Sequence, residues 1–189
     1  MISGIVLAAG SGTRFGGTKQ LARLDGKPLT QHAVDALTAA GVAEIVVVTG
    51  HDAERVEEEI TLPPQGRFER NPEHGTGQAS SLAAGLRSLD ARSEGAVVLL
   101  ADQPGVTDAE VRALIEAFAR GRARIVRIAY ADAPGPALLS REIFERARHL
   151  DGDVGARELI AFHPEWVEDV PVPFAAPRDV DRPEDLGPA

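Results

Sequence analysis

Short apolar runs alternate with stretches of helical spacing along almost the whole chain, and this alternation constrains the fold more than any other feature. Residues 2–8, 44–49, 67–70, 96–101, 124–130 and 165–173 read as strands. The runs at 2–8, 44–49 and 96–101 are nearly continuous in Ile, Val, Leu and Ala, the pattern of strands covered on both faces. Between them, residues 28–40, 52–60, 80–89, 141–149 and 154–162 read as helices, with one more capped by Thr107 or Asp108 and ending near residue 120. In the first, Leu29, Ala33, Leu37 and Ala40 share one face, with Pro28 near the start and Gly41 at the end. This order predicts a three-layer, Rossmann-like α/β domain with a mostly parallel, mixed sheet. No repeat or linker interrupts it, so a single domain is expected over residues 1–189.

Composition narrows the function. Aromatics make up 4% of the chain, so the core must rest on small and branched aliphatics. There is no Cys, which removes disulfides and thiolate metal sites together. The five histidines, His32, His51, His74, His149 and His163, show no paired spacing, so no zinc site is expected. A net charge of −9 argues against a general nucleic-acid binder, which carries a basic footprint. It leaves room for a small anion held by backbone N–H groups and a few cations. The first residues lack a basic leader region, and no apolar run approaches bilayer length. A cytoplasmic protein with no membrane partner is the expectation.

The most informative stretch is Leu7-Ala8-Ala9-Gly10-Ser11-Gly12-Thr13-Arg14-Phe15-Gly16-Gly17-Thr18-Lys19, which follows the first strand. Glycines let successive N–H groups turn inward around a phosphate, and Arg14 and Lys19 add charge. Of the 20 basic residues only Lys19 and Lys27 are lysines; Lys27 reads as chance, whereas Lys19 suits a place where a compact ammonium serves better than a planar fork. A P-loop would need Gly-Lys followed by Ser or Thr, whereas Thr18 separates Gly17 from Lys19. A dinucleotide fingerprint would lead straight into a helix and meet an acidic residue about 20 positions on. Here cations stand in place of that helix, and the second strand ends at Thr49-Gly50, about forty residues after Gly10. A triphosphate site is the better reading, against a plain tight turn with solvated charges. In open α/β sheets ligands lie beyond the carboxyl ends of the strands. This loop, residues 71–82 and residues 101–104 all fall at such ends.

The Gly-rich stretch, continued by Gln20, resembles the signature of the MobA-like NTP transferases, and most of all their molybdenum cofactor cytidylyltransferases. The likeness continues through Asn71-Pro72, Gly77 and Ser80-Ser81-Leu82, then Leu100-Ala101-Asp102-Gln103-Pro104. It extends to Gly152-Asp153-Val154-Gly155-Ala156-Arg157 and to the run from Asp179 to Leu186. These blocks occur in the family's order and span nearly the whole chain.

The resemblance implies a nucleotidyltransferase-type fold and a Mg²⁺-dependent enzyme that moves CMP from CTP to a molybdopterin-type phosphate, releasing pyrophosphate. It implies Arg14, Lys19 and Asp102 as catalytic residues. Leu7, Ala8, Ala9, Gly10, Ser11, Gly12 and Thr13 would bind the nucleotide, with Asn71, Gly77, Ser80 and Ser81 at base and ribose. Asp153 and Arg157 would stand on the acceptor side. Asp102 would hold the metal together with Asp179 or Asp181, of which Asp181 is preferred. CTP is favoured over GTP because Ala9 stands where the guanylyl branch commonly has Gly. Relatives often have a Gly-His-Pro step where this chain has Gly135-Pro136-Ala137, so the acceptor is less defined than the nucleotide.

Structural roles compete at several of these positions. Asp102 could form a turn before Pro104, and Asp181 could cap the turn at Pro183. Ser81 and Asp153 suit helix N-termini as well as a ligand. Two other activities stay open: transfer to a sugar or polyol phosphate, and non-catalytic delivery of cofactor to a molybdoenzyme partner. A phosphate monoester is already a nucleophile at neutral pH, so the chemistry needs no activated serine, and no G-x-S-x-G is present.

Overall fold

The computed structural model describes residues 1–12, 15–147, 160–161 and 163–186. Its elements in chain order are β1 (Ile2–Ala8), β2 (Arg23–Leu24), β3 (Lys27–Pro28), α1 (Leu29–Ala40), β4 (Glu44–Thr49), α2 (Ala53–Glu59) and β5 (Gly66–Arg70). They continue with α3 (Gln78–Ser88), β6 (Gly95–Leu100), α4 (Asp108–Ala119), β7 (Ile125–Ala129), β8 (Pro134–Ser140), α5 (Arg141–Ala147) and β9 (Val167–Pro171).

Among the described residues seven strands form one sheet in the order β5-β4-β1-β6-β8-β7-β9, with β8 antiparallel to both neighbours and the remaining pairs parallel. This is the mixed, mostly parallel α/β sheet that the alternation predicts. β1 lies between β4 and β6, and its side chains alternate between two apolar clusters. Val6 and Ala8 join Ala33 and Leu37 of α1 and Val111 and Leu114 of α4. Ile5 and Leu7 join Leu82 and Leu86 of α3 and Ile143 of α5. A strand buried on both faces is apolar at nearly every position, which is why 2–8 reads as an almost continuous run, and its one polar side chain, Ser3, is hydrogen-bonded to Glu44 and Ser93.

The sequence reading misses three strands. β8 carries Pro134 and Pro136, which speak against an interior strand. Its ladder with β6 covers only Ala137 to Ser140, so neither proline faces β6, and the β7 ladder is irregular between Arg127 and Ala129. The small β2–β3 hairpin turns at Asp25-Gly26, both with positive φ, as Asp-Gly hairpin turns require. Elsewhere boundaries shift by one to three residues; the last strand, for example, is Val167–Pro171 and not 165–173. The helix expected at 141–149 is described as Arg141–Ala147, and the one expected at 154–162 lies almost wholly outside the described residues. Thr107, not Asp108, stands at the start of α4, where Glu110 reaches back to its N–H at 2.7 Å.

α3 approaches the sheet closely because Gly85 has no side chain. A Cβ there would stand 2.9 Å from Ile5 Cγ2 and 3.0 Å from Val48 Cγ2. Gly85→Val should therefore push α3 off β1 and β4. We expect a loss of about 1–3 kcal/mol or more in denaturant unfolding, where an exposed helical glycine replaced in the same way would cost little.

Candidate active site

Parallel pairing brings the carboxyl ends of β1, β4 and β6 level, and a cavity of about 670 Å³ opens above them. One wall is the loop leaving β1, from Ala9 to Gly12. Gly12 has φ +57, and a Cβ on it would meet the Gly17 carbonyl oxygen at 2.4 Å, so the return of the loop on itself demands glycine here. The Gly12 carbonyl accepts N–H bonds from Phe15 at 2.9 Å and Gly16 at 3.1 Å. The far side of the loop is tied to the end of β4. Thr18 Oγ1 donates to the Asp52 carboxylate, which Arg55 also approaches at 3.6 Å. The Thr18 hydroxyl, more than any charge, holds the Asp52 carboxyl below its ordinary range.

The opposite wall follows β6. Asp102, two residues beyond the strand, accepts from Lys19 Nζ at 2.8 Å, and the same ammonium donates to Asp181 at 3.0 Å. Three side chains far apart in sequence thus meet at one point, where the Lys19 side chain is 16% exposed. Burial pushes the ammonium pKa down, but the bonds and charges of Asp102 and Asp181 outweigh it and leave it above its ordinary 10.5. On the alkaline side, the lysine's share of the stabilisation is intact up to that ordinary value and is lost as pH rises through the higher folded one.

The chain end that carries Asp181 is fixed by backbone. Val180 is buried, and its N–H donates to the Asp102 carbonyl at 2.9 Å. Asp179 turns away and accepts from Gln103 Nε2 at 2.9 Å. The turn at Pro183 is capped by Asp185, whose carboxylate accepts the N–H groups of Arg182 at 2.7 Å and Asp181 at 2.9 Å. The capping role that competes for Asp181 is therefore filled by another residue. Asp102 likewise spends its carboxylate on Lys19 and not on a turn before Pro104.

The floor is built by residues 71–81. Asn71 is 2% exposed and lies behind the wall. Its Nδ2 donates to Ser80 Oγ at 2.9 Å and Ser81 Oγ at 3.0 Å, and its Oδ1 accepts the Glu73 N–H at 3.0 Å. Gly77, at φ +122, starts α3 at the cavity edge, and Ser81 faces the cavity one turn on.

Of the residues expected at the site, the cavity brings together Leu7, Ala9, Gly10, Ser11 and Gly12 with Lys19, and Gly77 and Ser81 with Asp102 and Asp181. Ala8 belongs to the core on the α1 side because strand side chains alternate, and Asn71 and Ser80 support the floor without lining it. Thr13, Arg14, Asp153 and Arg157 lie outside the described residues. The sequence reading gives no site role to Gln20, although it ends the quoted signature, nor to His74 and Gln78, inside a block already under suspicion; all three line the cavity. Among the described residues no group of three His, Cys, Asp or Glu converges as a metal cage. Mg²⁺ needs none, since it commonly binds one or two carboxylates and fills its shell with water and substrate phosphate. Two hard carboxylate oxygens already gathered around one cationic point fit such an ion.

A doubly covered α/β sheet with a Gly-rich loop, a lysine and paired carboxylates at its carboxyl edge defines a nucleotide-handling site. Comparison with known proteins agrees: residues 4–168 match the MobA-like NTP transferase domain, and the chain belongs to that family of nucleotidyltransferases. It is 31% identical to nicotine blue oxidoreductase of Paenarthrobacter nicotinovorans, over 89% of this chain and 85% of that protein. It is 38% identical to the bifunctional protein GlmU of Solibacter usitatus, over 63% of this chain, and the match spans only 26% of that longer protein. Among solved structures, Rv0371c of Mycobacterium tuberculosis H37Rv in complex with manganese superposes with a TM-score of 0.82 at 28% identity, covering 97% of this chain and 95% of that one. Among the described residues no helix is long and apolar enough to cross a membrane.

Asn71→Ala would leave the Ser81 hydroxyl without this partner in a buried place and the Glu73 N–H without it in a half-buried one. We expect about 1–3 kcal/mol of lost stability by thermal or denaturant unfolding, and weaker nucleotide binding as Gly77 and Ser81 lose their support.

Proposed function

We propose that this protein transfers CMP from CTP to a molybdopterin-type phosphate and releases pyrophosphate, with Mg²⁺ as cofactor. The observation that carries the reading is the convergence of Lys19, Asp102 and Asp181 at the mouth of the Gly-rich loop. Asp102 and Asp181 would hold the metal, which when bound neutralises phosphate charge and stabilises the leaving pyrophosphate. The manganese in the Rv0371c structure supports a divalent ion in this family.

The acceptor phosphate oxygen attacks the α-phosphorus, and the bond from that phosphorus to the bridging oxygen breaks as pyrophosphate leaves. Two anions must approach each other, so catalysis is positioning plus electrostatics. The backbone N–H groups of Ser11 and Gly12 face the polyphosphate. Lys19, relieved of its carboxylates, turns to the phosphate oxygens, and Arg14 adds a second cation. The floor from Gly77 to Ser81 supports base and ribose. Ala9 favours a pyrimidine, since its methyl group occupies cavity wall that a glycine would leave to a larger base. Asp153 and Arg157 are assigned to the acceptor side.

A second reading has an observation of its own, because one relative bears the name of an oxidoreductase. Paired carboxylates held by a lysine suit a metal–polyphosphate and have no evident use in hydride transfer, so we favour nucleotidyl transfer. The experiment is pyrophosphate release from each of the four NTPs with molybdopterin, with and without Mg²⁺. We expect Mg²⁺-dependent release with CTP preferred, and a fall of at least about a hundredfold in Asp102→Asn. GTP-only release would overturn the role of Ala9. Binding of CTP without transfer to molybdopterin would move the acceptor to sugar or polyol phosphates. Failure of every NTP to bind would overturn the proposal.

A further inference from the structure

Gln20 is a buried amide in the cavity wall, 4% exposed, and none of the chemistry above uses it. Its Nε2 donates to the carbonyl of Gly10, the residue at which the loop departs from the end of β1. Its backbone carbonyl accepts Thr30 Oγ1 at 3.0 Å, which anchors it to the first turn of α1. Its Oε1 is buried with no hydrogen-bond partner among the described residues. An amide kept only for stability would have both ends satisfied or would be replaced by an apolar side chain of similar size. This one leaves an acceptor unpaired to make a single bond to the start of the loop.

We infer that Gln20 is the positioning residue of the nucleotide loop. It clasps Gly10 and so ties the start of the loop, Gly10 to Gly12, to the segment that carries Lys19. The clasp fixes the backbone N–H groups at Ser11 and Gly12 relative to the Lys19 ammonium, so that both address the same polyphosphate. A glycine-rich segment is costly to order, and without the clasp that ordering would fall on the binding step. With the clasp the backbone from Gly10 to Gly12 is placed during folding. The inference rests on the nucleotide reading proposed above.

Stability and affinity should then move separately. Gly10 is exposed, so water can take over its carbonyl when the clasp is removed. Gln20→Leu fills much the same volume and removes the orphaned Oε1. Its melting temperature should be equal to or above that of the parent protein. Its affinity for Mg·CTP, measured by calorimetry, should fall by about tenfold, with KM rising and kcat changing by less. Hydrogen exchange in the ligand-free protein should quicken across residues 10–12 and 15–19 and stay unchanged in β1, β4 and β6. Gln20→Glu presents a carboxylate oxygen to the Gly10 carbonyl in place of a donor and should bind more weakly still.

A Leu variant that binds Mg·CTP as the parent does, or whose loop exchange is unchanged, would overturn the clasp and leave the nucleotide reading intact. A Leu variant whose affinity falls only with its melting temperature would reduce Gln20 to a packing residue. A parent protein that binds no nucleotide would overturn both readings together.

Discussion

β1 is paired in parallel on both sides and covered on both faces, and the rest of the molecule is arranged around that constraint. In register, Ala8 lies beside Thr49 of β4 and Leu7 beside Leu100 of β6, so the three strands deliver Ala9, Gly50 and Ala101 to one rim. The described residues assigned to function gather at this rim. The spacing is tight: a Cβ on Gly50 would come within 2.5 Å of His74 Cβ and 2.9 Å of Ala9 Cβ. The floor contributed by residues 71–81 is thereby pressed against the base of the Gly-rich loop, which makes one cavity of two segments distant in sequence.

At that rim the electrostatics are local. The chain as a whole is acidic, yet its most buried lysine side-chain charge sits between two carboxylates that a metal would otherwise claim. The arrangement stores the carboxylates in a paired state, where neither repels the other, and keeps the ammonium beside the place where phosphate is proposed to lie. A compact ammonium on a flexible stem can leave such a pair and turn to another anion. A guanidinium locked in a bidentate fork would do so less readily, which gives a physical reason for lysine in a chain that otherwise uses arginine.

Much of this was legible in the sequence, for identifiable reasons. Doubly buried strands read as continuous apolar runs, so the α/β class and β1, β4 and β6 stood out. The Gly-rich loop was legible because Gly12 has a conformation and a contact that only glycine tolerates. β8 was not, because its prolines lie past the end of its β6 ladder, a fact of register that no local pattern carries. The choice between Asp179 and Asp181 could not be derived from spacing either. It depends on which carboxylate Gln103 takes and on Asp185 capping the turn, both long-range or side-chain events. Gln20 was quoted with the signature but given no role, because an amide beside a lysine looks like ordinary surface, and only the fold reveals that it is buried against Gly10.

The central claim is that Asp102 and Asp181 are a cation site shared in turn by Lys19 and a nucleotide-borne metal. Manganese binding followed by electron paramagnetic resonance, with and without CTP, tests it most directly. The account predicts weak binding to the protein alone, at least about tenfold tighter binding with CTP as Lys19 is drawn to the phosphates, and loss of that gain in both Asp102→Asn and Asp181→Asn. Manganese affinity that ignores both substitutions, or that is the same with and without nucleotide, would contradict it.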